Sequence, residues 1–65
     1  MRYVCHLKKN QNIKPSDRML EIGYGEWSVD MNQYPVIENI TRLKENDEVF
    51  ICHEGTYNLY LITSN

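Results

Sequence analysis

Long apolar runs are missing from this sequence of 65 residues. No stretch approaches the ~20 consecutive apolar residues that a membrane-spanning helix requires. The opening residues, MRYVCHLKKNQ, also lack the apolar segment of a secretion signal. We therefore expect a cytoplasmic protein that has no membrane partner. Because thiols normally stay reduced in the cytoplasm, a disulfide between the two cysteines is not expected.

Cysteines and histidines are few, and their spacing does not suit a metal site. They occur as two dipeptides, Cys5-His6 and Cys52-His53, and the C-x2-C knuckle of small zinc domains is absent. Adjacent residues on a strand point to opposite faces, so the two members of one dipeptide cannot bind the same ion without a bulge. The sequence predicts no metal and no cofactor, with both cysteines acting as small core residues.

Motifs for catalysis are also missing. The sequence has no G-x-S-x-G elbow, no phosphate-binding loop and no metal triad. Residues 17–27, DRMLEIGYGEW, resemble the first glycine-rich motif of Rossmann-type S-adenosylmethionine methyltransferases, which requires a helix after the glycines. Residues 26–31 instead alternate as a strand does, and 65 residues are too few for that fold. The prediction is a protein that is not an enzyme.

The most apolar stretch, EVFICHEGTYNLYLIT at residues 48–63, is predicted to form a β-hairpin. Glu54-Gly55 is the reversal point between two runs rich in β-branched and aromatic residues. A turn there places Cys52 opposite Tyr57, Phe50 opposite Leu59, and Glu48 opposite Leu61. The second face carries Val49, Ile51, His53, Tyr60 and Ile62. Both faces are largely apolar, so each needs a cover.

Alternation also predicts strands earlier in the chain. Residues 2–8 read as a half-buried strand with Tyr3, Cys5 and Leu7 inward, which leaves Val4 outward. Residues 9–17 are predicted to form a polar loop. Residues 18–31 are predicted to form a second hairpin with its loop at residues 23–26. Its apolar, inward face consists of Leu20, Ile22, Trp27, Val29 and Met31, whereas Met19, Glu21, Ser28 and Asp30 point outward.

Residues 35–44 are predicted to contain one short helix or a turn. Their apolar residues share one helical face and Pro35 suits a first helical position, whereas their β-branched residues lower helix propensity. The order of elements predicts a mainly β fold (all-β or α+β) with a single domain over residues 1–65. The expected architecture is a small five-stranded antiparallel barrel or curled sheet, OB-like or SH3-like.

The net charge of −2 is small, but its distribution is uneven. Residues 1–18 have a balance of +4 and the remainder has a balance of −6. One hypothesis is therefore a nucleic-acid-binding small barrel that uses its basic N-terminal segment. The residues it would use are Arg2, Lys8, Lys9, Lys14 and Arg18. An ordinary solvated strand and loop explains the same residues, since only Lys8 and Lys9 are adjacent.

The leading hypothesis is a small, non-enzymatic protein-binding module. The second face of the C-terminal hairpin has more apolar surface than the rest of the chain is expected to cover. The expected contact residues are Val49, Ile51, Tyr60, Ile62 and Tyr24. The partner is an unidentified protein, with a homodimer through the last strand as one form and nucleic acid as the less favoured partner. Small acidic chains of this composition are typical of phage or mobile-element accessory proteins that inhibit or modulate a host protein.

Overall fold

Four strands form one sheet in the computed structural model, which describes residues 1–8, 17–25 and 32–63. The strands are β1 (Arg2–His6), β2 (Met19–Gly25), β3 (Glu48–His53) and β4 (Thr56–Ile62). They lie in the order β1-β3-β4-β2. The β1–β3 pair is parallel, and the other two pairs are antiparallel. The fold is mainly β, as predicted.

The predicted five-stranded antiparallel barrel is not confirmed, because the described strands form an open, four-stranded mixed sheet. The parallel β1–β3 pair is the clearest departure from it. A parallel pair needs a long crossover connection, and here β2 and residues 32–47 lie between the two strands in sequence. Local patterning reveals a strand but not the direction in which a distant partner joins it.

The β3–β4 hairpin has the predicted turn and the predicted register. Cys52 lies opposite Tyr57, and the same register continues to Phe50 opposite Leu59 and Glu48 opposite Leu61. Glu54 and Gly55 have φ values of 52° and 80°. Positive φ at both central residues is the pattern of a type I′ turn, whose twist matches that of the two strands.

The first strand is covered on both faces and partly along its outer edge. Tyr3, Cys5 and Leu7 contribute to the core, as predicted. The outward orientation predicted for Val4 is wrong. Its side chain is 0% exposed and packs in a buried cluster with Phe50 and Leu59. At the edge, the Val4 amide donates to the Pro35 carbonyl at 2.9 Å, and the Ile37 amide donates to the Val4 carbonyl at 2.8 Å.

The second strand pairs with β4 and contains an irregularity. The register shifts between Glu21 and Gly23, which leaves Ile22 as the extra residue of a β-bulge. The inward orientation predicted for Leu20 and Ile22 is wrong, because these side chains are 53% and 46% exposed. Met19, predicted to point outward, packs against the core instead. The rest of the predicted hairpin, residues 26–31 with Trp27, lies outside the described residues.

Residues 35–44 contain a single turn of 3-10 helix, Ile40–Arg42. The side chain of Asn39 caps this turn by accepting a hydrogen bond from the Thr41 amide at 3.0 Å. A helix that begins at Pro35 is not formed, because the hydrogen bonds to Val4 hold residues 35–37 extended beside β1. The expected short helix or turn is thus reduced to one turn.

The sheet buries side chains on both of its faces. The first cluster, named here the Val49 face, consists of Cys5, Leu43, Val49, Ile51, Tyr60 and Ile62. Ile37 and Ile40 pack against it, so the segment before β3 covers this face. The second cluster, the Phe50 face, consists of Val4, Phe50 and Leu59, with Tyr34 and Tyr57 packed against it.

Candidate interaction surface

The four hairpin residues predicted to bind a partner are buried within this chain. Val49, Ile51, Tyr60 and Ile62 are 0, 6, 9 and 4% exposed, respectively. The premise of an uncovered second face is therefore wrong, since Leu43 and its neighbours supply the cover. Tyr24 lies in β2, and its side chain is outside the described part of the structure.

The position of β4 removes the premise for the predicted homodimer. Pairing through the last strand requires that strand to lie at an edge of the sheet. In the structure, β4 lies between β3 and β2, and its residues are in register with both neighbours. Its backbone is therefore already engaged within the chain.

Exposed apolar side chains occur instead on β2. Large apolar residues that are exposed in the described ranges are Met1, Leu20, Ile22 and Val36. Two of these four belong to β2, and Leu20 is in register with the half-buried Leu61 of β4. We refer to Leu20, Ile22 and Leu61 as the β2 patch. The alternation of residues 19–22 was visible in the sequence, but it did not reveal which set of side chains the core covers.

Charged residues lie next to Leu20 along the chain. Arg18 and Glu21 are both exposed. The Glu21 carboxylate accepts a hydrogen bond from the side-chain amide of Asn58 at 2.7 Å. Glu21 is in register with Tyr60, and burial together with the nearby Glu21 charge raises the pKa of Tyr60. Glu21 therefore lies on the Val49 face, whereas Leu20 and its register partner Leu61 lie on the opposite side of the sheet.

An arginine and a row of aromatic rings occupy the Phe50 face. The Arg2 guanidinium donates from Nη2 and Nε to the same Glu48 oxygen, at 3.0 and 3.2 Å. Its central carbon lies 5.4 Å from the ring centroid of Phe50 and 5.8 Å from that of Tyr34. Phe50 in turn contacts Tyr57 edge-on at 6.3 Å. Arg2 thus covers Phe50 and is held by an internal carboxylate and by cation–π contacts.

The basic residues predicted to contact nucleic acid are not gathered in the described structure. Arg2 forms an ion pair with Glu48 at the start of β1. Lys8 follows the end of β1, whereas Arg18 precedes β2 at the opposite edge of the sheet. Lys9 and Lys14 lie outside the described residues. Arg2, Lys8 and Arg18 therefore do not form one continuous basic patch.

The two cysteines are free and lie on opposite faces of the sheet. Cys5 belongs to the Val49 face, whereas Cys52 pairs with Tyr57 on the Phe50 face. Burial raises the pKa of the Cys5 thiol. A hydrogen bond with Cys52 raises the pKa of Tyr57. Since the two thiols point away from each other, the sheet separates them and an intrachain disulfide does not fit this fold.

Comparisons with known proteins do not identify a relative. No family model, no curated protein and no solved structure matches the chain. Within the described ranges, no helix is long and apolar enough to cross a membrane. The same ranges contain no group of three or more histidine, cysteine or acidic side chains placed to hold a metal ion.

Proposed function

We propose that this chain is a non-enzymatic protein-binding module whose partner contacts the β2 patch. The supporting observation is the exposure of Leu20 and Ile22, at 53% and 46%, on a strand at the edge of the described sheet. Full burial of a leucine or isoleucine side chain contributes roughly 1.5–3 kcal/mol. A partner that covers both side chains therefore gains apolar contact that the described residues do not provide.

The bulge in β2 favours contact through side chains over addition of a strand. A regular edge strand offers evenly spaced backbone groups to an incoming strand. The register shift between Glu21 and Gly23 interrupts that spacing next to Ile22. We therefore propose that the partner presents an apolar surface to Leu20 and Ile22 and does not extend the sheet.

The composition around the β2 patch supports the same proposal. Leu61 continues the apolar surface from the edge towards the Phe50 face, since it is in register with Leu20 and is half-buried. Arg18, two residues before Leu20, supplies an exposed charge beside it. An apolar centre with a polar rim is the usual anatomy of a protein interface.

Nucleic-acid binding has less support. Counterion release requires several cations that reach phosphates at the same time. Arg2 is engaged by Glu48 and two aromatic rings, and Lys8 and Arg18 belong to opposite edges of the described sheet. No specific observation favours this second function.

The proposal is tested by comparing three variants of the tagged chain in affinity capture from its native host. Leu20→Lys and Ile22→Lys each place a charge in the β2 patch. Val36→Lys makes the same type of change at an apolar residue that is 59% exposed beside β1, and it serves as the matched control. We expect at least one protein to be retained by the unmodified chain and by Val36→Lys but lost from both β2 variants.

Folding and the kind of partner are controlled in the same experiment. Circular dichroism and urea unfolding establish that all four chains are folded before capture. Nuclease treatment and a salt series separate a protein partner from nucleic acid, because only the latter loses affinity steeply with salt. The proposal is wrong if the captured proteins are the same for all four folded chains, or if nuclease removes everything that is captured.

A further inference from the structure

Residues 34–37 cross the outer edge of β1 from one face of the sheet to the other. At one end, the Tyr34 ring packs against Phe50 on the Phe50 face, with the two ring centroids 5.8 Å apart. At the other end, Ile37 packs against the Val49 face. We refer to residues 34–37 as the edge strap, because they enclose the edge of β1 that faces away from β3.

The edge strap is attached to β1 by its backbone at one residue. The Val4 amide donates to the Pro35 carbonyl at 2.9 Å, and the Val4 carbonyl accepts from the Ile37 amide at 2.8 Å. These two bonds form an isolated parallel bridge between Val4 and Val36. Extension of this ladder towards the start of β1 would need an N–H at position 35, which proline lacks. The attachment is therefore confined to the middle of a strand of five residues.

The edge beneath the edge strap is that of a regular strand. Backbone groups of alternate residues point to the same side of a strand. Val4 points its amide and carbonyl outward, so Arg2 and His6 point theirs the same way. The Leu7 amide belongs to the other set and bonds to the Cys52 carbonyl on the β3 side. A row of evenly spaced outward donors and acceptors is a template on which another chain can add a strand.

The edge strap replaces this edge with one that is hard to extend. The Pro35 carbonyl and the Ile37 amide both face β1, so the N–H and C=O of Val36 face away from it. The outward backbone groups of residues 35–37 are therefore those of a single residue. Very short edges and edges that carry proline protect natural sheets from pairing with further chains.

We propose that the edge strap opens on its own and that, while closed, it prevents β1 from pairing with β1 of a second copy. Opening breaks the two hydrogen bonds at Val4, whereas β1 keeps its ladder with β3. Two open edges are self-complementary. Antiparallel about a two-fold axis, Val4 lies opposite Val4, and Arg2 of each copy lies opposite His6 of the other. This contact uses the edge of the sheet opposite β2, so it is independent of the proposed function.

Hydrogen exchange of the unmodified chain tests the opening without any substitution. The Val4 amide reports on the edge strap, and the neighbouring Cys5 amide, which faces β3, reports on the sheet. After correction for intrinsic rates, we expect the Val4 and Ile37 amides to exchange at least about tenfold faster than that of Cys5, because a local opening costs less free energy than loss of the sheet. A Val4 amide that exchanges no faster than that of Cys5 would overturn the proposal.

Tyr34→Ser combined with Ile37→Ser removes both side-chain anchors of the edge strap. Circular dichroism and urea unfolding establish that this released chain is folded. In sedimentation we expect it to form dimers at concentrations at which the unmodified chain does not, and its Val4 amide should become protected from exchange as the dimer forms. Val36→Ser is the matched control, because it makes the same type of change at a residue of the edge strap that is 59% exposed. This control should sediment as the unmodified chain does.

The dimer is assigned to β1 by adding Leu20→Lys to the released chain. That substitution alters the β2 patch at the other edge of the sheet and should leave the dimer intact. The proposal fails if the folded released chain stays monomeric at high micromolar concentration, or if Leu20→Lys abolishes its dimer. Should the released chain unfold, Tyr34→Ser alone takes its place, since it leaves Ile37 packed on the Val49 face.

Discussion

Val4 and Phe50 are register partners across the parallel β1–β3 pair, and they are 0% and 2% exposed. Cys5, the next residue in β1, is 2% exposed but lies on the opposite face. Adjacent residues that are both buried show that β1 is covered from two sides. Although β1 is an edge strand of the sheet, its central side chains are as buried as those of a core strand.

Truncation of Val4 should therefore be costly. Val4→Ala removes two methyl groups from a closely packed cluster, and we expect a loss of about 2 kcal/mol in the free energy of unfolding. Val36→Ala makes the same chemical change at a site that is 59% exposed, and its cost should stay within about 0.5 kcal/mol. Urea unfolding of both variants measures the difference. Equal costs would mean that Val4 is not enclosed.

Charge substitution should separate the buried hairpin face from the β2 patch. Ile62 is 4% exposed, so Ile62→Lys buries an unpaired charge and should cost roughly 3–5 kcal/mol. A domain of this size has only a few kcal/mol to spare, and the variant should unfold. Leu20→Lys should remain folded, because half of that side chain is already in water. Circular dichroism and size-exclusion chromatography distinguish the two results.

Asparagine in place of Glu54 should stabilise the β3–β4 turn. Glu54 has φ 52°, a left-handed conformation that costs most residues but suits asparagine. We expect Glu54→Asn to raise the free energy of unfolding by roughly 0.5–1 kcal/mol. Gly55→Ala should lower it by about 1 kcal/mol, although no atom lies within 4 Å of the added Cβ, because φ at Gly55 is 80°. Thermal unfolding measures both shifts.

The Asp47 carboxylate should make the free energy of unfolding depend on pH in the acid range. Its Oδ2 accepts from the Lys44 amide at 2.8 Å and its Oδ1 from the Met1 amino group at 3.0 Å. The hydrogen bond from the Lys44 amide, followed by the one from the Met1 amino group, lowers the pKa of Asp47 below its usual 3.8. A lowered pKa in the folded state stabilises the fold above pH ~3.8, and this contribution is lost as pH falls through the folded-state value.

Asp47→Asn should consequently be less stable than the unmodified chain at neutral pH, and the difference should disappear in acid. Urea unfolding from pH 7 to pH 2 measures this convergence. Glu45→Gln changes an exposed acid in the same turn and should leave the acid dependence intact. A constant difference between Asp47→Asn and the unmodified chain over that range would show that the carboxylate charge plays no part.

The two thiols should differ in reactivity. Cys5 is 2% exposed, and burial raises its pKa, so little thiolate is available to an alkylating reagent. Cys52 is half-buried and should react first. Mass spectrometry of the reduced native chain should show one fast label at Cys52, with Cys5 labelled at a similar rate only in denaturant. Rapid labelling of Cys5 under native conditions would contradict its placement.

The sequence was most informative where partners are close in the chain. Glu54 and Gly55 define the β3–β4 turn, and the turn alone determines the complete register of that pair. The sequence of the hairpin did not show which of its two faces is buried, because the neighbouring residues Val49 and Phe50 point to opposite faces and are both apolar. Both proved to be buried, and the second face needed the cover that Leu43 and its neighbours provide.

Alternation failed at β2 because it identifies which residues share a face and not which face is covered. Leu20 and Ile22 read as an inward pair, but the register with β4 puts Met19 beside the core residue Ile62. The bulge at Ile22 then breaks the alternation itself. The register of His6 with Cys52 could not be predicted for a related reason, because it joins residues that are 46 positions apart in the sequence and no local pattern encodes such a contact.

This separation along the chain has a consequence for how the protein folds. Among the described strands, the β3–β4 hairpin is the one pair that is local in sequence, whereas β1 and β2 pair with strands that lie far away in the sequence. Closing those long loops loses entropy before any contact offsets it. We therefore infer that the hairpin forms first and that both flanking strands dock onto it afterwards. During synthesis β1 and β2 are made before the hairpin onto which they dock, so their unpaired backbone in that interval is the part most open to a chaperone or a protease.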